Sequence, residues 1–281
     1  MTGIDIFKQR LSLLRPFLST GSIDEKIIEL LKPILDEIIT FIALPIFDEQ
    51  GFKEIQRVTI NKNVLNGKNE RIDGIALLKY PPAKKANYGR ANIKGQSVLY
   101  ATFNPMTALK EMKPNIGDFI TISTWTILET TTLSVAPIFK ITSKDGVFHN
   151  ELSLFYLNEY EKLKKSLSKD VVEQSDELML FMAECFAKRV EYGNKFDYYL
   201  SAYFADRIFA GLNVEALVYP SFPEDLSFSN IAIKPQSFDD KYVLNSVEEC
   251  VVVETPKRNG HIYILKSSDS TKYFDKNKIL W

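Results

Sequence analysis

Hydrophobic residues recur at helical spacing from the start of the chain: Ile4, Phe7, Leu11, Leu14 and Leu18. A second set, Ile27, Ile28, Leu31, Leu35, Ile38 and Ile39, marks the apolar side of another helix. Ser22-Ile23-Asp24-Glu25 in front of it reads as a capping box, and Pro33 inside it as a kink. Residues 1–48 are therefore expected to form an N-terminal helical extension ahead of a domain over 49–281. At Ile55 the pattern changes to strand-like alternation, which lasts to Ile60. A polar stretch rich in Asn and Gly follows, and Pro81-Pro82 enforces an extended exit from it. Residues 97–103 (SVLYATF) are a short β-rich run. Asn104-Pro105 then opens a helix, because Asn caps a helix start well and Pro is tolerated in the first turn. On that helix Thr107 and Glu111 stand one turn apart on one face.

The second half predicts a strand over 118–128 and a helix over 152–167. Two clearer helices follow, 176–192 ending at Gly193 and 195–210 ending at Gly211, both glycines suited to close a helix. Phe196, Tyr198, Tyr199, Tyr203 and Phe204 read as the core face of the second. Residues 213–221 and 229–234 read as strands, and 250–254 with 261–266 as a hairpin across an Asn-Gly loop. Helices and strands mix without the regular alternation of a parallel sheet, so the expected class is α+β. No GxGxxG or GxxxxGK[ST] occurs, which excludes dinucleotide binding in the Rossmann or P-loop manner.

At 281 residues and 45% hydrophobic, the chain can bury a substantial core. A net charge of −1 leaves no global field to favour nucleic acid, and only a local basic pocket stays open. Cys185 and Cys250 sit far apart in apolar runs and read as buried thiols of a reducing compartment. Asp5, Lys8 and Arg10 stand where a secretory leader needs an apolar core, and the apolar run 38–47 is too short to span a bilayer. A cytoplasmic protein without a membrane partner is expected. With only His149 and His261, and no CxxC or HExxH, no metal is expected. Asp239-Asp240 and Glu248-Glu249 are adjacent pairs in polar surroundings, so both read as solvated surface. The apolar faces of the N-terminal helices need cover from the rest of the chain, a partner or a symmetric oligomer.

The stretch 88–112 carries most of the candidate chemistry. Gly89-Arg90-Ala91-Asn92 opens a turn that Gly95 closes, Tyr100 lies in the following strand, and Glu111 on the helix after it. This arrangement resembles the signature of the RES-domain family, named for an Arg, a Glu and a Ser. The matching pieces are Gly89-Arg90-Ala91-Asn92, Leu99-Tyr100-Ala101 and Ala108-Leu109-Lys110-Glu111. Further on, Tyr219-Pro220-Ser221 with Asn230 is similar to the family's Y-P-S…N segment. The resemblance implies a fold like that of ADP-ribosyltransferase toxins, a mixed β-sheet core with flanking helices. It also implies that NAD is the substrate, consumed by hydrolysis, phosphorolysis or ADP-ribose transfer. Many members are toxins of toxin–antitoxin pairs, so an antitoxin or regulatory protein is an implied partner.

Residue by residue, the resemblance maps the first family Arg to Arg57, with Arg71 as the alternative. The second maps to Arg90, the Tyr to Tyr100, the Glu to Glu111 and the Ser to Ser221. Cleaving the nicotinamide–ribose bond of NAD needs no acid, because the leaving group is already cationic. It needs a carboxylate facing an oxocarbenium-like transition state and planar arginines on the pyrophosphate. In these terms Arg57 and Arg90 hold phosphates, Tyr100 and Ser221 position the nicotinamide–ribose end, and Glu111 acts on the ribose. Asn230 is expected to fix loop geometry. Toxin members often read GGRWN, whereas the loop here lacks the Trp and Val58 follows Arg57. A protein-modifying transferase and a non-catalytic module that binds NAD or a partner are the rival expectations.

Overall fold

The Thr- and Ile-rich run after Glu111 forms the strand Phe119–Ile127, with Thr121, Ser123, Trp125 and Ile127 buried and the residues between them less so. In the computed structural model it pairs antiparallel with Glu54–Ile60 on one side and Tyr242–Glu254 on the other. The structure describes residues 3–19, 23–39, 44–49, 52–139, 150–188, 190, 194–221, 229–259 and 262–281. These fall into two compact units.

One unit comprises Glu49–Pro82, Ser97–Leu133 and Asn230–Trp281. Its sheet continues from Glu54–Ile60 to Leu99–Thr102 through the pair Gln56↔Thr102, and from there to Ser229–Ile233. At the other side Ile264–Thr271 pairs with Tyr242–Glu254. The helix Pro105–Met112 lays Ala108 and Leu109 against Val58, Ile60, Ile120, Cys250 and Val252. Trp125, Phe238 and Tyr242 form an aromatic cluster, with ring centroids 4.8 and 5.6 Å apart.

The other unit comprises Met1–Asp48, Ala83–Gln96 and Ser134–Ser229. Phe7, Leu11 and Leu14 of Gly3–Leu14 and Leu31, Leu35 and Ile38 of Glu25–Ile39 are buried. These two helices pack on each other and on Lys169–Ala187 and Tyr199–Gly211. Leu133–Pro137 and Ala216–Pro220 run parallel. Parallel and antiparallel pairs thus coexist with segregated helices, and the class is α+β.

Several local expectations change. Asp24 caps the second helix, its Oδ1 accepting from Ile27 N at 2.8 Å, while Ser22 lies outside the described residues. That helix runs unbroken through Pro33, because its buried leucines outweigh the one lost main-chain bond. Residues 75–78 form a 3-10 turn, and Leu133–Pro137 is a strand that the residue pattern did not mark. The long helix is Lys169–Ala187 and stops before residue 192; Gly193 lies outside the described residues. The C-terminal hairpin strands are longer than expected, with Pro256–Asn259 helical between them, and Gly260 and His261 lie outside the described residues. Among the described residues no helix is long and apolar enough to cross a membrane.

Candidate functional site

The helix that carries Glu111 is set by its own start. Asn104 Oδ1 accepts from Met106 N at 2.8 Å, Pro105 occupies the first turn, and Thr102 Oγ1 donates to Asn104 O at 2.7 Å. At the far end Lys113 adopts φ +50° and its N–H returns to Leu109 O at 2.8 Å. With Ala108 and Leu109 facing the sheet, Glu111 is left half-buried on the last turn. There Asn230 Nδ2 donates to Glu111 Oε1 at 2.9 Å.

Register explains the meeting. Asn230 pairs with Thr102, and Thr102 with Gln56, so these three side chains share one face. Tyr100, two residues from Thr102 on the same strand, faces that way too. Two further polar atoms here are shielded and lack a hydrogen-bond partner among the described residues, Thr107 Oγ1 and Gln56 Oε1. Asn230, expected to fix loop geometry, thus lies in a strand and holds the carboxylate. The Y-P-S…N segment contained that signal, but nothing in the sequence shows which side chain the Asn meets.

Arg57 Nη1 donates to Tyr100 O at 2.8 Å, while its Nε is shielded with no partner among the described residues. Burial lowers its pKa to about 10, so it remains a cation at neutral pH. Arg71 is engaged differently. Its Nε and Nη2 donate to Glu249 Oε1 at 3.2 and 3.1 Å, its Nη1 to Asp269 Oδ2 at 3.1 Å, and it lies 4.6 Å from the Trp281 ring centroid. Glu249, expected as solvated surface, is only 2% exposed. Alternation along Tyr242–Glu254 turns Glu249 inward, and Arg71 compensates its charge.

Arg90 and Ser221 belong to the other unit. The turn that carries Arg90 is clamped by Asn92, whose Nδ2 reaches Asn87 O, Ile93 O and Gln96 O at 2.7–3.0 Å. Gly95 closes it at φ +87°, a left-handed conformation that favours glycine, with its N–H on Ala86 O at 3.0 Å. Arg90 Nη1 donates to Phe186 O at 2.6 Å and Lys188 O at 3.0 Å, and the guanidinium lies 5.3 Å from the Tyr198 ring centroid. It thereby sits at the C-terminal end of Lys169–Ala187, where carbonyls lack helical partners and the dipole is negative. The Phe186 ring is 5.1 Å from that of Tyr219, two residues before Ser221. Ser221 is fully buried, directly after Ala216–Pro220. Tyr199, Tyr203 and Phe204 are core residues of their helix.

Neither thiol suits nucleophilic work. Burial pushes Cys250 up to about 12 and raises Cys185 well above the usual thiol range. Both are buried and unbridged. Ellman's reagent is expected to label neither in the native protein and both after unfolding in guanidinium; rapid native labelling would show that one of them is accessible.

A family model described as RES domain matches residues 70–251, a span that includes Arg71, Arg90, Tyr100, Glu111, Ser221 and Asn230 but not Arg57. A comparison with curated proteins finds none that matches.

Proposed function

Because the chain belongs to the RES-domain family, whose members are in general NAD-related, toxin-like domains, we propose that it breaks the nicotinamide–ribose bond of NAD. The observation that carries this reading is the 2.9 Å contact between Glu111 and Asn230. It joins two motif residues 119 positions apart and fixes a carboxylate beside the Tyr100 strand. Such a carboxylate can accept from a ribose hydroxyl and face the charge that develops at the anomeric carbon. The C–N bond breaks with its electron pair leaving on nicotinamide, which becomes neutral. Water or phosphate then bonds to the sugar carbon, and in hydrolysis the water loses its proton. Thr107 Oγ1 and Gln56 Oε1 add polar atoms that a ribose or carboxamide group would satisfy.

Arg57 rather than Arg71 is the first arginine of this reading. Arg71 is committed to Glu249 and Asp269, whereas Arg57 keeps a shielded Nε with no partner among the described residues. Arg90 holds a phosphate, and Tyr100 and Ser221 orient the nicotinamide–ribose end. No metal takes part. The protein is a cytoplasmic NAD-depleting toxin held in check by an antitoxin.

Proton NMR of NAD incubated with the protein, with and without phosphate, tests the reading. Nicotinamide release supports it, and a phosphate requirement selects phosphorolysis. No release together with undiminished NAD binding would make the protein a binding module instead; release only when a protein acceptor is added would make it a transferase. Asn230→Ala is expected to lower kcat about 100-fold, since a carboxylate misplaced by an ångström loses that much. An unchanged kcat would mean that Glu111 needs no such support.

A further inference from the structure

Arg90 is positioned by contacts that converge on one residue. Lys188 supplies one of the two carbonyls that hold its Nη1, at 3.0 Å. The Lys188 side chain turns inward, only 9% exposed, and Nζ donates to Asp197 Oδ1 at 3.2 Å and to Phe17 O at 2.8 Å. The same Asp197 oxygen accepts from Ile23 N at 3.3 Å. Arg15 Nη1 adds an ion pair to Glu184 Oε2 at 2.5 Å, on the last turns of the helix whose end Arg90 caps. Phe17, Ile23 and Arg15 all lie outside the matched span 70–251.

We propose that Lys188 and Asp197 are positioning residues for Arg90, through which the N-terminal helices set the phosphate-binding arginine. The placement of Arg90 depends on where the end of Lys169–Ala187 is fixed. The chain leaves the helix at Lys188 in a non-helical conformation, φ −54° and ψ 126°, so the helical ladder ends before the Lys188 carbonyl. The Nζ bonds to Asp197 and Phe17 anchor the residue that carries it, and the low exposure of the pair strengthens them relative to a surface ion pair. Among the described residues both Arg90 hydrogen bonds run through Nη1, so the Nε and Nη2 edge is the one proposed to meet a phosphate in a bidentate manner. A carbonyl shifted by an ångström swings that edge off its ligand. The N-terminal helices are thus a working part of the site rather than an appendage.

This inference rests on the proposed role of Arg90 toward NAD, and the test separates the two. NAD is titrated by calorimetry into full-length Glu111→Gln protein, in which turnover is blocked, and into the same protein carrying Arg90→Ala, Lys188→Met, Lys188→Arg or Asp197→Asn. Lys188→Met is expected to weaken binding about tenfold and Asp197→Asn several-fold, with Lys188→Arg close to the parent. Adding Lys188→Met to Arg90→Ala should cause no further loss, because Lys188 acts through Arg90; a purely structural defect would add to it. If Arg90→Ala binds NAD as the parent does, the assigned role of Arg90 falls. If Arg90→Ala weakens binding but Lys188→Met and Asp197→Asn do not, the role of Arg90 stands and the positioning inference is overturned. Should Lys188→Met fail to fold, Asp197→Asn decides the matter: parent-like affinity there overturns the inference.

Discussion

Glu111→Gln is expected to cut nicotinamide release from NAD by at least about 10³-fold, roughly 4 kcal/mol of transition-state stabilisation, while the protein unfolds at the wild-type temperature. The two halves of this expectation have separate causes. Glutamine keeps an amide oxygen where Glu111 Oε1 accepts from Asn230, so the 2.9 Å bond between helix and strand survives. Ala108 and Leu109, which bury the helix on its sheet, are untouched. Only the negative charge is lost, and the charge is what an oxocarbenium-like transition state requires. The comparison of proton NMR time courses with thermal melts of both proteins settles it. Full activity in the variant would remove the carboxylate mechanism, and loss of activity with a lowered melting temperature would assign Glu111 to the fold instead.

The largest effect on stability is expected at Arg71. Replacing it by Met leaves Glu249, 2% exposed, as a buried carboxylate without its cation. Breaking a buried pair from one side costs about 3–5 kcal/mol. The Arg71 side chain is itself 38% exposed, so water can reach the gap and the lower end, about 3 kcal/mol, is expected. Glu249→Gln should cost only about 1 kcal/mol, because a neutral amide can still accept from the guanidinium and Arg71 keeps Asp269. Urea unfolding of the two variants measures the difference. Equal losses would mean that packing against Trp281, 4.6 Å away, and not charge compensation, is what Arg71 contributes.

How much of this was legible depends on the range of the interaction involved. The start of Pro105–Met112 was readable because an Asn cap and a first-turn Pro act within three residues. The Thr- and Ile-rich composition of 118–128 marked the strand observed at Phe119–Ile127 for the same reason. Glu249 was not readable. Its burial follows from a strand reaching back to Tyr242 and from an arginine 178 positions away, and neither leaves a local trace. The end of Lys169–Ala187 was equally hidden, since Arg90, 96 and 98 positions distant, takes the carbonyls of Phe186 and Lys188 there.

The candidate site divides in the same manner. Turn chemistry around Gly89 and Gly95, the strand with Tyr100 and the helix with Glu111 are properties of short segments, and the residue order determined them. That Asn230 meets Glu111, that Arg71 is consumed by an ion pair while Arg57 keeps a shielded donor, and that Lys188 ties Arg90 to the first helices were decided only by the tertiary structure. Capping and periodicity act over one turn or one pleat. Hydrogen bonds and charge pairs between distant segments form only once burial has brought those segments together.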